Sequence, residues 1–232
     1  MIQDDRKVAV VTGTSGQLGP VWVETLALDM GYEVFGINQP PYDVGKKESV
    51  LLAAANCFRH DGIPEVLVLN AAIDNPPGSA ATFHGNAANI LQVNLMGALY
   101  TVEAFLPAMI ERGKGTIIAI GSIQGFIGAD WRNYAGNFEK PIGYNLSKAA
   151  LMQYVRSLTV QYGRHGIRAC CIAFGPYDGG KIPKEFLDNF LKNVPMGRAV
   201  SRESLKAAMR FAVECPEFAG QTVLVDGGYV AL

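Results

Sequence analysis

The stretch Val8-Ala9-Val10-Val11-Thr12-Gly13-Thr14-Ser15-Gly16-Gln17-Leu18-Gly19 decides the fold. Its first half is an unbroken apolar run of strand length. Such a run is apolar on both faces, so both faces need cover, which is the condition of a parallel strand between two layers of helices. Its second half is a glycine-rich turn that opens into a helical pattern reaching Met30. Backbone N–H groups at a helix start attract an anion, and glycines let the chain approach a pyrophosphate with no Cβ in the way. Gly13, Thr14, Ser15, Gly16, Gln17, Leu18 and Gly19 are therefore candidate cofactor-binding residues. Glycines also mark plain strand-to-helix turns; the position after the first strand favours a dinucleotide.

Working outward, further strands are predicted at Glu33–Ile37, Glu65–Asn70, Gly115–Ile120, Arg168–Phe174 and Gln221–Val225, after a first strand at Lys7–Thr12. Helices are predicted near Leu18–Met30, Ser49–Arg59, Asn86–Glu111, Tyr144–Tyr162, Pro183–Asn193 and Arg202–Glu214. Alternation of this kind predicts a Rossmann-type α/β fold, a doubly wound parallel sheet in three layers, as one domain over residues 1–232. No repeat or composition shift divides the chain. Two long loops, Ala71–Gly85 and Ser122–Gly143, follow strand C-termini, the edge where such sheets bind ligands.

Composition narrows the function. Twenty Lys and Arg against 21 Asp and Glu leave a net charge of −1, which offers no basic excess for nucleic acid or an anionic membrane. The charge-free run from Asn75 to Val102 is interrupted by Pro76, Pro77 and several Asn and Gln, so it is not expected to span a bilayer. The N-terminal residues lack a secretion-signal pattern, and the expected location is the cytoplasm. Cys57, Cys170, Cys171 and Cys215 lack metal or redox spacing, with Cys170 and Cys171 on opposite faces of a strand. His60, His84 and His165 are scattered, so no metal is assigned.

Tyr144-Asn145-Leu146-Ser147-Lys148 places a phenol and an ammonium one helical turn apart on one face. A nearby ammonium favours phenolate and brings a phenol toward a working range for acid–base chemistry. Alone, this pentad is common. It is joined by Ser122 at the end of the fourth strand and by Asn94, an amide inside an apolar helix. With Thr12-Gly13, Leu69-Asn70-Ala71-Ala72 and Val225-Asp226-Gly227-Gly228 in order, the whole chain resembles the short-chain dehydrogenase/reductase family. The resemblance implies hydride exchange between NAD or NADP and a carbon bearing oxygen. It makes Tyr144 the acid–base group, Ser122 the partner of the reacting oxygen, Lys148 the ribose ligand that lowers the Tyr144 pKa, and Asn94 the holder of a relay water. It adds Asn70, Ala71, Ala72, Tyr144, Lys148 and Gly175 to the cofactor-binding set.

Departures from the family pattern carry expectations too. Gln17 replaces a glycine and is expected to crowd the pyrophosphate. Asn38 ends the second strand where an acid or a cation would choose between NAD and NADP, and that choice stays open. Only 26 residues separate Asn38 from Glu65, so the third family strand is expected to be missing, with its adenine-contacting Asp replaced at most by His60-Asp61-Gly62. Ser122 and Tyr144 are separated by 21 residues, and the surplus, Ala129–Lys140, carries Trp131, Arg132, Asn133, Tyr134, Asn137 and Phe138. A similar insert occurs in a bacterial branch associated with surface-sugar biosynthesis, which suits a sugar phosphate or nucleotide sugar; a surface flap or a subunit contact is the alternative. The first reading is an NAD(P)-dependent oxidoreductase of a small polar carbonyl or alcohol. The rival is a degenerate family member that binds or scaffolds. The apolar composition and the resemblance imply a homotetramer, or a homodimer through the long helices Asn86–Glu111 and Tyr144–Tyr162.

Overall fold

The computed structural model describes residues 6–75, 82–134, 140–180 and 182–231. Pro76, Pro77, Asn137, Phe138 and Leu232 lie outside them. Six strands form one parallel sheet: β1 (Val8–Thr12), β2 (Glu33–Ile37), β3 (Val66–Leu69), β4 (Gly115–Ile120), β5 (Ile167–Phe174) and β6 (Thr222–Val225). Their order is β2-β1-β3-β4-β5-β6. Val10 pairs with Phe35 on one side and Leu67 on the other, so β1 lies between β2 and β3. The chain winds outward to β2 and then returns across β1 to β3. That reversal opens a crevice beyond the carboxyl ends of β1 and β3, where such sheets take ligands.

Strand residues alternate between two cores. Val8, Val10, Leu67, Leu69, Ile117, Ala169 and Cys171 face α2 (Lys47–His60), α4 (Gly97–Arg112) and α5 (Ile142–Tyr162). Ala9, Val11, Val66, Val68, Ile118, Cys170 and Ile172 face Trp22 and Leu26, which follow from α1 (Gly19–Glu24), and Leu205 and Met209 of α7 (Arg202–Glu214). Cys170 and Cys171 thus point to opposite faces, and burial pushes their thiols up to about 12 and about 11. At the far end of the sheet Arg168 donates to the carbonyls of Ala212, Val213 and Phe218, satisfying groups that the end of α7 leaves open.

Two helices are locally widened and underwound. α1 continues as a π-turn over Thr25–Asp29, and α3 (Ala87–Leu91) passes into α4 through a π-turn at Gln92–Met96. Such insertions concentrate at functional positions, and Asn94 sits inside the second. The helical run 87–112 has the length and hydropathy of a membrane span, yet its Val102, Phe105 and Met109 are core residues packed with the sheet. α6 (Lys184–Leu191) lies over the ligand edge.

The third family strand is absent among the described residues. A loop, 38–46, leads from β2 directly to α2, leaving β2 at the sheet edge.

Candidate active site

A cavity of about 770 Å³ opens at the crevice, lined by the exits of β1, β2, β3, β4 and β5. Its floor begins at the glycine turn. Gly13 has φ of +70°, and a Cβ there would stand 2.8 Å from the Ala71 Cα; at Gly19 a Cβ would meet the Thr14 carbonyl oxygen at 2.3 Å. Both positions admit only glycine, because backbone passes where a side chain would be. Gly13, Ser15, Gly16, Gln17 and Leu18 line the cavity, while Thr14 packs over Gly36 and Gly19 is buried in the helix start.

Asn70 belongs to this cradle as its brace. Its amide nitrogen donates to the carbonyls of Thr12 and Gly13, and its oxygen accepts from the Trp22 indole N–H at 2.8 Å. Its backbone N–H and that of Ala71 both donate to the Thr12 hydroxyl. The Asn70 side chain therefore holds the turn in shape, and Asn70 also lines the cavity. Ala71, Ala72 and Gly175 line the cavity through their backbones.

Gln17 crosses the cleft. Its amide donates to the Tyr177 carbonyl at 3.3 Å, tying the glycine turn to the segment that follows β5. Asn38 turns inward, its oxygen accepting from both the hydroxyl (2.8 Å) and the N–H of Ser15.

The adenosine side differs from expectation. His60 and Asp61 lie at the opposite end of the sheet, where Arg6 reaches the His60 carbonyl and Glu65 pairs with Val8, so His60-Asp61-Gly62 cannot serve the cleft. Tyr42, Asp43, Val44 and Val93 line it instead. The Asp43 carboxylate accepts from the Gly45 N–H, the Asp43 N–H donates to Ser49, and Val44 packs against Gly97, where a Cβ would meet it at 3.0 Å. A Tyr-Asp-Val string just before a helix was the available signal; the deletion hid it by removing the strand that would have marked it.

At the other end, Ser122, Tyr144 and Lys148 converge. Pro141 precedes the first turn of α5 and Tyr144 projects from that turn into the cavity, with Lys148 one turn on. The Ser122 hydroxyl hydrogen-bonds the Tyr144 phenol and also accepts from the Gln124 N–H, which fixes its position. The Lys148 ammonium donates to the Ile120 carbonyl at 2.8 Å and stands 5.4 Å from the centre of the Tyr144 ring.

Asn94 stands behind this group. Its oxygen accepts from the Ile73 N–H and its nitrogen donates to the Ile73 carbonyl and the Ser147 hydroxyl. Both amide hydrogens are thus engaged by protein, so its side chain positions the β3 exit against α5.

Electrostatics correct one expectation. Burial pushes the Tyr144 phenol up, with the Asp74 charge adding to it and the Ser122 hydrogen bond opposing. Burial brings Lys148 down to about 8. Desolvation therefore sets the direction, opposite to the lowering that Lys148 was expected to bring. At neutral pH Tyr144 keeps its proton and is set to donate it.

Two charged cleft residues escaped the sequence reading. Asp74 and Lys140 form an ion pair beside Tyr144, with the Lys140 ammonium 4.8 Å from the ring centre. Tyr134 packs on Phe186 of α6 at 4.9 Å between centroids and accepts from the Gln124 amide. Of the insert, Tyr134 and Lys140 line the cavity. Trp131 and Arg132 are exposed, and Asn133 is buried behind it, bonded to Tyr229 and Asn193.

The residues present fit a nicotinamide dinucleotide: a cradle closed to side chains at one end, and a Tyr–Lys–Ser group at the other. The family model described as "Enoyl-(Acyl carrier protein) reductase" matches residues 8–230. A 3-oxoacyl-[acyl-carrier-protein] reductase of Chlamydia trachomatis is 30% identical over 227 residues, covering 94% of this chain and 85% of the relative. The mouse 3-oxoacyl-[acyl-carrier-protein] reductase is 30% identical over 188 residues, covering 80% and 75%. The crystal structure of a gluconate 5-dehydrogenase from Burkholderia cenocepacia, in complex with NADP and tartrate, superposes with a TM-score of 0.82 at 24% identity, covering 99% of this chain and 96% of that one. With its site geometry and these relatives, the chain belongs to the short-chain dehydrogenase/reductase family of NAD(P)-dependent oxidoreductases.

Proposed function

We propose that the protein interconverts a carbonyl and an alcohol on a small polar substrate, with a sugar phosphate or nucleotide sugar as the favoured class. The observation that carries the reaction is the Ser122–Tyr144–Lys148 group at the end of a cavity that is continuous with the glycine cradle. The bound nicotinamide would supply or accept the hydride. Ser122 holds the reacting oxygen, and Tyr144, protonated at neutral pH, gives it a proton during reduction. Lys148, buried and near its own midpoint, carries positive charge beside the phenol. Gly13–Gly19 and Lys148 would hold the cofactor, with Asn70 keeping the turn rigid.

The substrate class draws support from the cleft's mixed lining. Asp74, Lys140 and Gln124 offer polar contacts, and Tyr134 and Phe186 offer aromatic faces. The relatives named for 3-oxoacyl and gluconate chemistry also act at carbonyl or hydroxyl carbons by their names. A cytoplasmic homotetramer or homodimer is part of the same reading; Leu146 and Val160, 49% and 87% exposed on α5, favour a contact through that helix. Parallel fluorescence titrations with NADH and NADPH, followed by a carbonyl panel, test it. Binding of neither cofactor at millimolar concentration would reject the reading in favour of a scaffold.

A further inference from the structure

The Asp74–Lys140 ion pair has no part in the proton transfer just described, yet it borders the reacting end of the cleft. Asp74 follows the β3 exit, whose position Asn94 fixes through both backbone groups of Ile73. Lys140 lies four residues before Tyr144, and its ammonium sits over the Tyr144 ring. Both side chains line the cavity.

The two partners are unequally covered. The Lys140 side chain is 8% exposed and that of Asp74 33%, so an arriving substrate meets the carboxylate first. One Asp74 oxygen takes the Lys140 ammonium and the other accepts from the Asn75 N–H. An ionised carboxylate accepts about four hydrogen bonds, which leaves about two for a ligand. A substrate carboxylate or phosphate at this place would be repelled by Asp74. A cation would be repelled by Lys140 just behind. A neutral hydroxyl suffers neither penalty, and it donates a charge-assisted hydrogen bond to the carboxylate.

From this we infer that Asp74, held by Lys140, selects substrates with a free hydroxyl on a carbon near the reacting one, and disfavours those with an anion there. The inference rests on the hydride-transfer reading and narrows it: any phosphate of the substrate lies away from the reacting end. Asp74 is the binding residue, and Lys140 is a positioning residue that fixes the carboxylate.

The test compares kcat/KM for reduction of 1,3-dihydroxyacetone, acetone and pyruvate by wild type, Asp74→Ala, Asp74→Asn, Lys140→Gln and Lys140→Arg. Saturation-transfer NMR of glycerol and 1-propanol, on wild type and Asp74→Ala, reports recognition without turnover. Wild type should favour dihydroxyacetone over acetone and bind glycerol over 1-propanol. In Asp74→Ala the dihydroxyacetone-to-acetone ratio should fall about 10- to 100-fold, chiefly through KM, while pyruvate gains on both. Asp74→Asn, which keeps an acceptor for Lys140, should fall between. Lys140→Arg should preserve the ratio and Lys140→Gln should lose it. Turnover with ratios indifferent to Asp74 would overturn the inference and leave the oxidoreductase reading standing. Asp74-dependent glycerol binding with no turnover of any carbonyl would uphold the inference and count against that reading. Absence of both turnover and Asp74-dependent binding would overturn it.

Discussion

Replacing Lys148 with Met should stabilise the fold at neutral pH while disabling the site. Lys148 is 3% exposed, and its ammonium must stay charged below about 8, against an ordinary 10.5. That gap corresponds to about 3 kcal/mol of destabilisation carried by the charged form. Met has similar length and no charge to desolvate, but it forfeits the bond to the Ile120 carbonyl, a loss of about 1–2 kcal/mol. The net gain at pH 7 is about 1–2 kcal/mol, or roughly 2–8 °C in Tm for a chain of this size. Between pH 8 and 10.5 the unfolded chain binds the proton that the native one has released, so wild-type stability rises with pH relative to the variant. Above 10.5 the penalty is gone, and wild type should be the more stable by the carbonyl bond alone. Thermal melts of both proteins from pH 7 to 11 read this directly. A variant less stable than wild type at pH 7, with a difference that does not change with pH, would refute the reasoning.

Tyr144→Phe should retain cofactor binding and lose at least ~10²-fold in turnover, since the phenol is the proton route; unchanged turnover in steady-state assays would remove Tyr144 from that role. Gln17→Gly should tighten NADH or NADPH binding about fivefold by freeing the passage that the Tyr177 bond now crosses, as read by fluorescence titration; weaker binding would mean that the amide holds the cofactor. As pH rises through about 8 Lys148 releases its proton and the phenol loses the positive charge beside it, so turnover in both directions should fall over that range. A pH–rate profile flat from 7 to 9 in both directions would contradict that assignment.

Most of the fold was legible because parallel strands announce themselves as apolar runs. β2 and β4 match the predicted limits, and the others differ by a residue or two. α7 matches because Ser201 caps it and Arg202–Glu214 is amphipathic. The π-turns were hidden, since one extra residue per turn leaves no mark in a 3.6-residue period. The Ser122–Tyr144–Lys148 group was legible through spacing. Asp74 and Lys140 were not, because they are 66 residues apart and meet only when α5 closes on the β3 exit. Asn70 and Asn94 were legible as residues, but their partners within the chain were not, because a buried amide reads the same in sequence whatever it bonds.

The deletion and the insertion make sense together. Losing the third strand leaves β2 at the sheet edge and reduces the cofactor's wall to the 38–46 loop, made firm by Asp43, Ser49 and the Val44 contact with Gly97. The wall is narrow yet fixed, which argues against an eroded, non-binding cleft. The insertion adds material at the opposite side. Asn133 bonds Tyr229 and Asn193, Tyr134 packs on Phe186, and Phe190 stacks on Tyr229 at 4.2 Å, so Asn133 and Tyr134 of the insert, α6 and the turn Tyr229–Ala231 form one connected cover over the reacting end. Gln17 then links the segment that follows β5, at Tyr177, to the glycine cradle. The deletion thus thins the wall on the cofactor side while the insertion builds up the substrate side, and the Gln17–Tyr177 bond spans the cleft between them.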